Sequence, residues 1–298
     1  MSSQMFTLEE ATWAWINTGP IKHKAPIGKR FLKGFMAGLF LSMGGMLVNI
    51  LSADPWLSTN APGLLKIIQG ACFPVGLVMI VLLQADLVTG AMAIMILSTL
   101  KRKVPFWAFA VDWTIVFIGN LSGALFYAGL LVYYTEIYTE AMVTGSAATA
   151  TSKAGPAINF RENFLRGIGC NVLVCIAVFQ ASLAKDVISK IVASWFPIFV
   201  FVSAGFEHVV ASMFLIPEGL MQGSPVSVGR YIWNAMIPAF LGNILGAALL
   251  VLPLLYLYGD DEHDPLQVSG ETLPTTNGIQ STGYTKDAES ADGSRPSN

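Results

Sequence analysis

Apolar runs without a single charge, separated by short polar connections, occupy most of the 298 residues. Charge-free stretches at Gly34 to Ala53, Ile67 to Ala85, Trp113 to Thr135, Gly167 to Ala184 and Tyr231 to Gly259 approach or exceed the length a helix needs to cross a bilayer, about 20 residues. A sixth run, Ile191 to Phe206, is too short alone but reaches Ile216 when continued past Glu207 and His208. The pattern predicts an all-α integral membrane protein of six transmembrane helices, the fifth broken by charge near its middle. The second carries a comparable polar interruption at Gln84 to Gly90.

Composition supports a lipid environment: 54% hydrophobic residues, 12% charged residues and a mean hydropathy of +0.60 leave too little polar surface for a soluble globule. The net charge of −2 is less informative than where Lys and Arg fall. Lys22, Lys24, Lys29, Arg30 and Lys33 precede the first span, Lys101 to Lys103 separate the second from the third, and Lys185 and Lys190 separate the fourth from the fifth. These segments are expected in the cytoplasm, together with both termini, in a multi-pass protein of the plasma membrane. No removable signal peptide is expected, because no short apolar stretch with a cleavage site follows a basic start. Residues 5–20 place Phe6, Trp13 and Trp15 beside Glu9 and Glu10, which suggests an interfacial helix. The expected organisation is a cytoplasmic segment at 1–29, a transmembrane domain at 30–258 and a disordered cytoplasmic tail at 259–298, rich in Ser, Thr, Gly and Asp.

The two halves repeat. FIGNLSGA at Phe117 to Ala124 recurs as FLGNILGA at Phe240 to Ala247, and Phe73-Pro74 recurs as Phe196-Pro197, both at an offset of 123 residues. FLKG at Phe31 to Gly34 recurs as FLRG at Phe164 to Gly167, at an offset of 133. Three spans per half is an odd number, so the second copy enters the membrane from the opposite side and the repeat is an inverted 3+3. Extending the 123 offset through the interruptions sets Thr89 opposite Ser212. Irregular backbone at membrane depth is tolerated where it is buried in protein or lines a wet cavity. Two related breaks therefore predict a shared cavity. The second half-helices would aim their positive N-termini at it, an arrangement suited to an anion.

His208 is the one histidine inside a span, and an intramembrane ionisable group beside a break is a functional candidate. Glu207 is expected to face packing partners, since a buried acid would repel an anion, and Asp86 is expected to cap the half-helix beginning near Thr89. Asn120, Asn171 and Asn243 read as interhelical glue; Gly34/Gly38, Gly119/Gly123 and Gly242/Gly246 read as close helix contacts or oligomer contacts. Cys72, Cys170 and Cys175 lie in spans and read as packing residues; no metal-ligand spacing is present and no cofactor is implied. Lys153 precedes the fourth span, where a lysine at a pore mouth would concentrate anions. An enzyme would need a nucleophile, metal set or acid–base constellation that this pattern does not supply. A neutral-solute channel of aquaporin type should carry two Asn-Pro-Ala triplets, and none is present.

FPVGL at Phe73 to Leu77, ADLVTG at Ala85 to Gly90, FLRGIGCNVLVCIAV at Phe164 to Val178 and GFEHVVASMFLIP at Gly205 to Pro217, with Lys24 and the Gly-rich first span, resemble the formate/nitrite transporter family over roughly residues 5–258. The resemblance implies a homopentamer of aquaporin-like protomers, with Thr89 meeting His208 in each pore and Lys153 at the outer vestibule. It implies a substrate path through His208, Thr89, Ser212, Glu207, Lys153 and Asn171, with an apolar constriction at Phe73, Leu77, Leu87, Val88, Val174 and Phe201. Val88 and Ser212 depart from the family's usual Phe and Asn. The implied activity is transport of a small monovalent anion, proton-coupled through the histidine, with protons, the anion and membrane lipid as partners and no nucleic acid. Nitrite is favoured because the tail and basic N-terminus look similar to fungal members; formate or another short monocarboxylate is the alternative, with hydrosulfide behind it.

Overall fold

The computed structural model describes residues 5–260; the tail expected to be disordered lies mostly outside them, from residue 261 on. Among the described residues the elements are helices, with a single isolated bridge between Met5 and Ala184. In order they are α1 (Leu8–Lys24), α2 (Ile27–Ser52), α3 (Pro55–Asn60), α4 (Pro62–Cys72), α5 (Val75–Leu82), α6 (Val88–Leu100), α7 (Ala108–Phe126), α8 (Glu140–Ala154), α9 (Phe160–Leu183), α10 (Val187–Ala204), α11 (Val209–Met221), α12 (Val228–Tyr231) and α13 (Ile237–Tyr258). Short π-helical stretches, Tyr127–Tyr133 and Ile232–Met236, prolong α7 and join α12 to α13.

Among the described residues six helices are long and apolar enough to span a membrane: α2, α4 with α5, α7 with its π-helical end, α9, α10, and the run from α12 to α13. The shorter apolar helices α6 and α11 complete the second and fifth spans after the predicted breaks. Each break opens with a left-handed residue, Gln84 at φ 55° and Gly205 at φ 74°. There the next N–H reaches back five residues, Ala85 to the Ile80 carbonyl and Phe206 to the Phe201 carbonyl, which ends the helix cleanly. Glycine adopts that backbone without penalty, whereas Gln84 does so against the preference of a residue with a Cβ.

Glycine decides how the spans meet. A Cβ on Gly123 would stand 2.0 Å from the Phe35 carbonyl oxygen, and one on Gly242 would stand 2.2 Å from that of Phe164. The small-residue pairs thus lock α2 to α7 and α9 to α13 inside one protomer, the same contact in both copies.

The repeat is larger than three spans. α1 and α8 are both capped by threonine, Thr7 and Thr139, and each packs on the second half-helix of its own copy's partner region, α1 on α6 and α8 on α11. α1 does not lie loosely along a surface. Trp13, Trp15 and Ile16 are buried in the bundle, and Lys101 and Lys103 sit over the Trp13 ring at 5.5 Å.

Candidate functional site

Two asparagines organise the breaks. Asn120 accepts the first N–H of α6, from Val88, at 2.9 Å, and donates to the carbonyls of Gly34 at 2.8 Å and Asp86 at 2.9 Å. Asn243 repeats this at the start of α11: it accepts from Val209 at 3.0 Å and donates to Gly167 at 2.8 Å and Glu207 at 3.1 Å. Both side chains are fully buried, so part of the polar backbone of each irregular segment is satisfied by protein at membrane depth.

These bonds correct the register expected across the breaks. Val88 corresponds to Val209, Asp86 to Glu207 and Gln84 to Gly205, an offset of 121 and not 123. The first copy carries two more residues between Pro74 and its break, where the chain turns at Phe73 and Pro74 while α10 runs unbroken through Pro197. Thr89 therefore stands opposite Val210, and the counterpart of His208 is Leu87. Asp86 caps nothing: α6 has Leu87 at its N-cap without a side-chain bond, and Asn120 does the capping.

The Asp86 carboxylate instead pairs with Lys22 of α1, which also lies 3.5 Å from Asp112 of α7; Arg30 reaches Asp112 at 3.3 Å. Burial works to lower the Lys22 pKa, but the carboxylates of Asp112 and Asp86 outweigh it and hold the amine above its ordinary 10.5. Glu207, expected to face packing partners, has polar ones. It accepts from Lys153 of α8 at 2.8 Å and from the Ser212 hydroxyl at 3.1 Å. Each break thus has an acid on equivalent backbone, neutralised by a lysine from the helix that precedes its repeat.

Thr89 and His208 meet between the breaks, with Oγ1 2.9 Å from Nε2 and both residues buried. The N–H of Ala211 donates to His208 Nδ1 at 3.1 Å, so Nδ1 is an acceptor and the neutral ring carries its proton on Nε2. That proton points at Thr89 Oγ1, which leaves the threonine hydroxyl hydrogen free for an acceptor beyond it. Asn171 ties the pair to the frame by donating to the carbonyls of Thr89 at 3.2 Å and Asn243 at 2.8 Å. Among the hydrogen bonds of the described residues, none uses the N–H of Thr89 or Val210, the second amide of each half-helix.

The aromatic rings of Phe73 and Phe201 meet edge to face at 5.8 Å, and Phe201 lies 5.9 Å from the His208 ring. Leu77 and Leu87 line a small cavity of about 30 Å³ with Ile80, Asp86 and Gly90. Val88 and Val174 are buried, the former placed by its bond to Asn120 and the latter beside Cys175 on α9. Among the described residues there is no cluster of three or more His, Cys, Asp or Glu that could hold a metal.

An inverted helical repeat whose broken spans face one another across a buried Thr–His pair defines an integral membrane transport protein. The chain belongs to the formate/nitrite transporter family, whose sequence model matches residues 9–258. It is 36% identical over 251 residues to a probable formate transporter of Methanothermobacter thermautotrophicus, covering 80% of this chain and 91% of that one. It is 39% identical over 246 residues to the uncharacterized transporter YrhG of Bacillus subtilis (strain 168), covering 82% and 90%. Among solved structures, a pentameric formate channel with formate bound superimposes with a TM-score of 0.68 at 25% identity, covering 78% of this chain and 96% of that chain.

Proposed function

We propose that the protein carries a small monovalent anion through each protomer of a homopentamer, past Thr89 and His208, with a proton accompanying the anion. The observation that carries this reading is the 2.9 Å contact of Thr89 and His208 where two half-helix N-termini converge. Positive helix ends attract an anion, and a bare charge crosses the apolar ring of Phe73 and Phe201 only at high cost. Pairing with a proton removes that cost.

His208 can act in two ways. Neutral, it orients the Thr89 hydroxyl toward the solute. To give up a proton and remain neutral, it must first be protonated at Nδ1, which displaces the Ala211 N–H from its cap and places a cation in a buried site; the cap accounts for on the order of 1 kcal/mol and the buried charge for more, so an arriving anion has to offset the cost. Water held by the pair can supply the proton instead.

The basic connections support cytoplasmic termini, with the plasma membrane as the proposed location, and the pentameric neighbour supports the assembly. Nitrite is the favoured solute. Formate is the second reading, and the names of the similar transporter and channel speak for it. Uptake of nitrite and formate by cells expressing the wild type or His208→Ala tests both levels: the variant is expected to lose rate and pH dependence. An unchanged pH profile removes His208 from the mechanism, and a preference for formate overturns the choice of nitrite.

A further inference from the structure

Glu218 of α11 is fully buried on the α8 side of the protomer, and the path described above does not use it. Its Oε2 accepts the Ser146 hydroxyl of α8 and, at 2.9 Å, the Asn49 amide of α2; that amide nitrogen also lies 3.2 Å from Ser146 Oγ. The other two acceptors of this cluster, Glu218 Oε1 and Asn49 Oδ1, are buried without a hydrogen-bond partner among the described residues. Gln222 approaches the carboxyl and Tyr138 approaches Asn49, neither in bonding geometry, and the Tyr138 hydroxyl is also unpartnered. None of the ion pairs found among the described residues brings a cation to Glu218.

An ionised carboxylate in this place would be a buried charge with one oxygen unsatisfied, and Asn49 would present a second bare acceptor near it. Turning the Asn49 amide over gives no relief, because its carbonyl would then face Oε2 and lose the donor that oxygen now has. One proton satisfies both orphans at once. We propose that Glu218 holds a proton on Oε1 and donates it to Asn49 Oδ1, so that acid and amide form a two-bond ring. The α8 half of the protomer then carries a proton-binding site separate from His208.

The internal repeat gives independent support. At the 121 offset set by the breaks, Glu218 corresponds to Leu97 of α6, itself fully buried. The first copy fills this position with a hydrocarbon, and the second fills it with a neutral acid. The site joins the end of α2, the middle of α8 and the half-helix that His208 begins. Because Ser146 and Lys153 share α8, it also braces the helix that presents the Lys153–Glu207 pair. Its neutrality matters on the reading proposed above, since an anion would otherwise pass a second fixed negative charge on this side.

Infrared difference spectra of the full-length protein in lipid, wild type against Glu218→Gln, test the site directly. The wild type is expected to show the carbonyl stretch of a protonated carboxylic acid at neutral pH, absent from the variant. Glutamine keeps the ring by donating from its amide to Asn49 Oδ1, so the variant is expected to fold and to take up nitrite or formate within about twofold of wild type with the same salt dependence. No difference in the carboxylic-acid region overturns the proposal. So does a variant that fails to fold, or one whose uptake rises with the salt sensitivity expected on loss of a fixed charge. The infrared comparison involves no transported solute, so absence of uptake in both proteins would count against the anion reading alone.

Discussion

Replacing Lys22 by Met tests whether α1 is part of the working core. The amine sits between two carboxylates, paired with Asp86 and 3.5 Å from Asp112, and is only 2% exposed. Arg30 flanks Asp112, and Lys33 lies in the field of Asp86, so further cations surround the pair. Lys22→Met removes one cation and strands negative charge in the bundle, a change worth about 3–5 kcal/mol for a buried pair. At about 2–4 °C per kcal/mol for a chain of this size, the melting temperature should fall by roughly 6–20 °C. Adding Asp86→Asn removes the matching anion and should restore more than half of the loss. Thermal melts in detergent, followed by tryptophan fluorescence, report on the dock through the buried Trp13 and Trp15. The raised pKa also fixes the sign with pH: the stabilisation from Lys22 is complete below lysine's ordinary value and is lost only as pH climbs through the higher one. It should therefore stay constant between about pH 6 and 9. A Lys22→Met melt within about 2 °C of wild type, or a double variant worse than the single by the full cost of a second pair, would refute the reasoning.

Asn243→Ala should be among the most damaging single changes, because one side chain satisfies the Val209 N–H and the carbonyls of Gly167 and Glu207. At about 1–3 kcal/mol for each buried group left bare, the cost should be at least about 3 kcal/mol, read as a lower melting temperature and loss of uptake; Asn243→Asp, which keeps the acceptor for Val209, should fall between. Gly242→Ala places a methyl 2.2 Å from the Phe164 carbonyl oxygen and 3.0 Å from Gly167 Cα, so α9 and α13 must part. The expected result is a reduced yield of monodisperse protein in size-exclusion chromatography, whereas Gly28→Ala, with open space around it, should be neutral.

The spans, the inverted repeat and the weight of His208 were legible because each leaves a mark on sequence: hydropathy, self-similarity, and a lone intramembrane histidine; that Thr89 meets it was implied by the family resemblance. What escaped was set by partners distant in the chain. Asp86 and Lys22 are separated by 64 residues, and Glu207 and Lys153 by 54, so nothing in local sequence says that each acid has a cation. The two-residue slip arose because Phe73-Pro74 and FIGNLSGA both obey an offset of 123, while the compensating insertion and deletion on either side of α6 cancel between them. The asparagines were visible as repeated residues, yet their task as caps for helices in another span is a matter of three-dimensional placement. α1 resembles α8 so little in sequence that only their equal stations in the fold show them as copies.

Equal stations do not mean equal behaviour, and the difference lies in access. Asp86 and Glu207 both stand where a negative charge would oppose an anion, and both are neutralised by a lysine from the helix ahead of their repeat. On the α1 side the lysine is 2% exposed and shared between two carboxylates, with Arg30 beside Asp112. On the α8 side Lys153 is 20% exposed, has Glu207 as its one salt-bridge partner among the described residues, and shares that acid with the Ser212 hydroxyl. Moving Lys22 away would leave Asp112 with Arg30 and take from Asp86 its paired amine; moving Lys153 away would leave Glu207 with the Ser212 hydroxyl. On the proposed path, the more exposed of the two lysines, Lys153, is the one that an anion could approach. On that reading one plan yields an enclosed ion-pair joint on the α1 side and a partly exposed one on the α8 side.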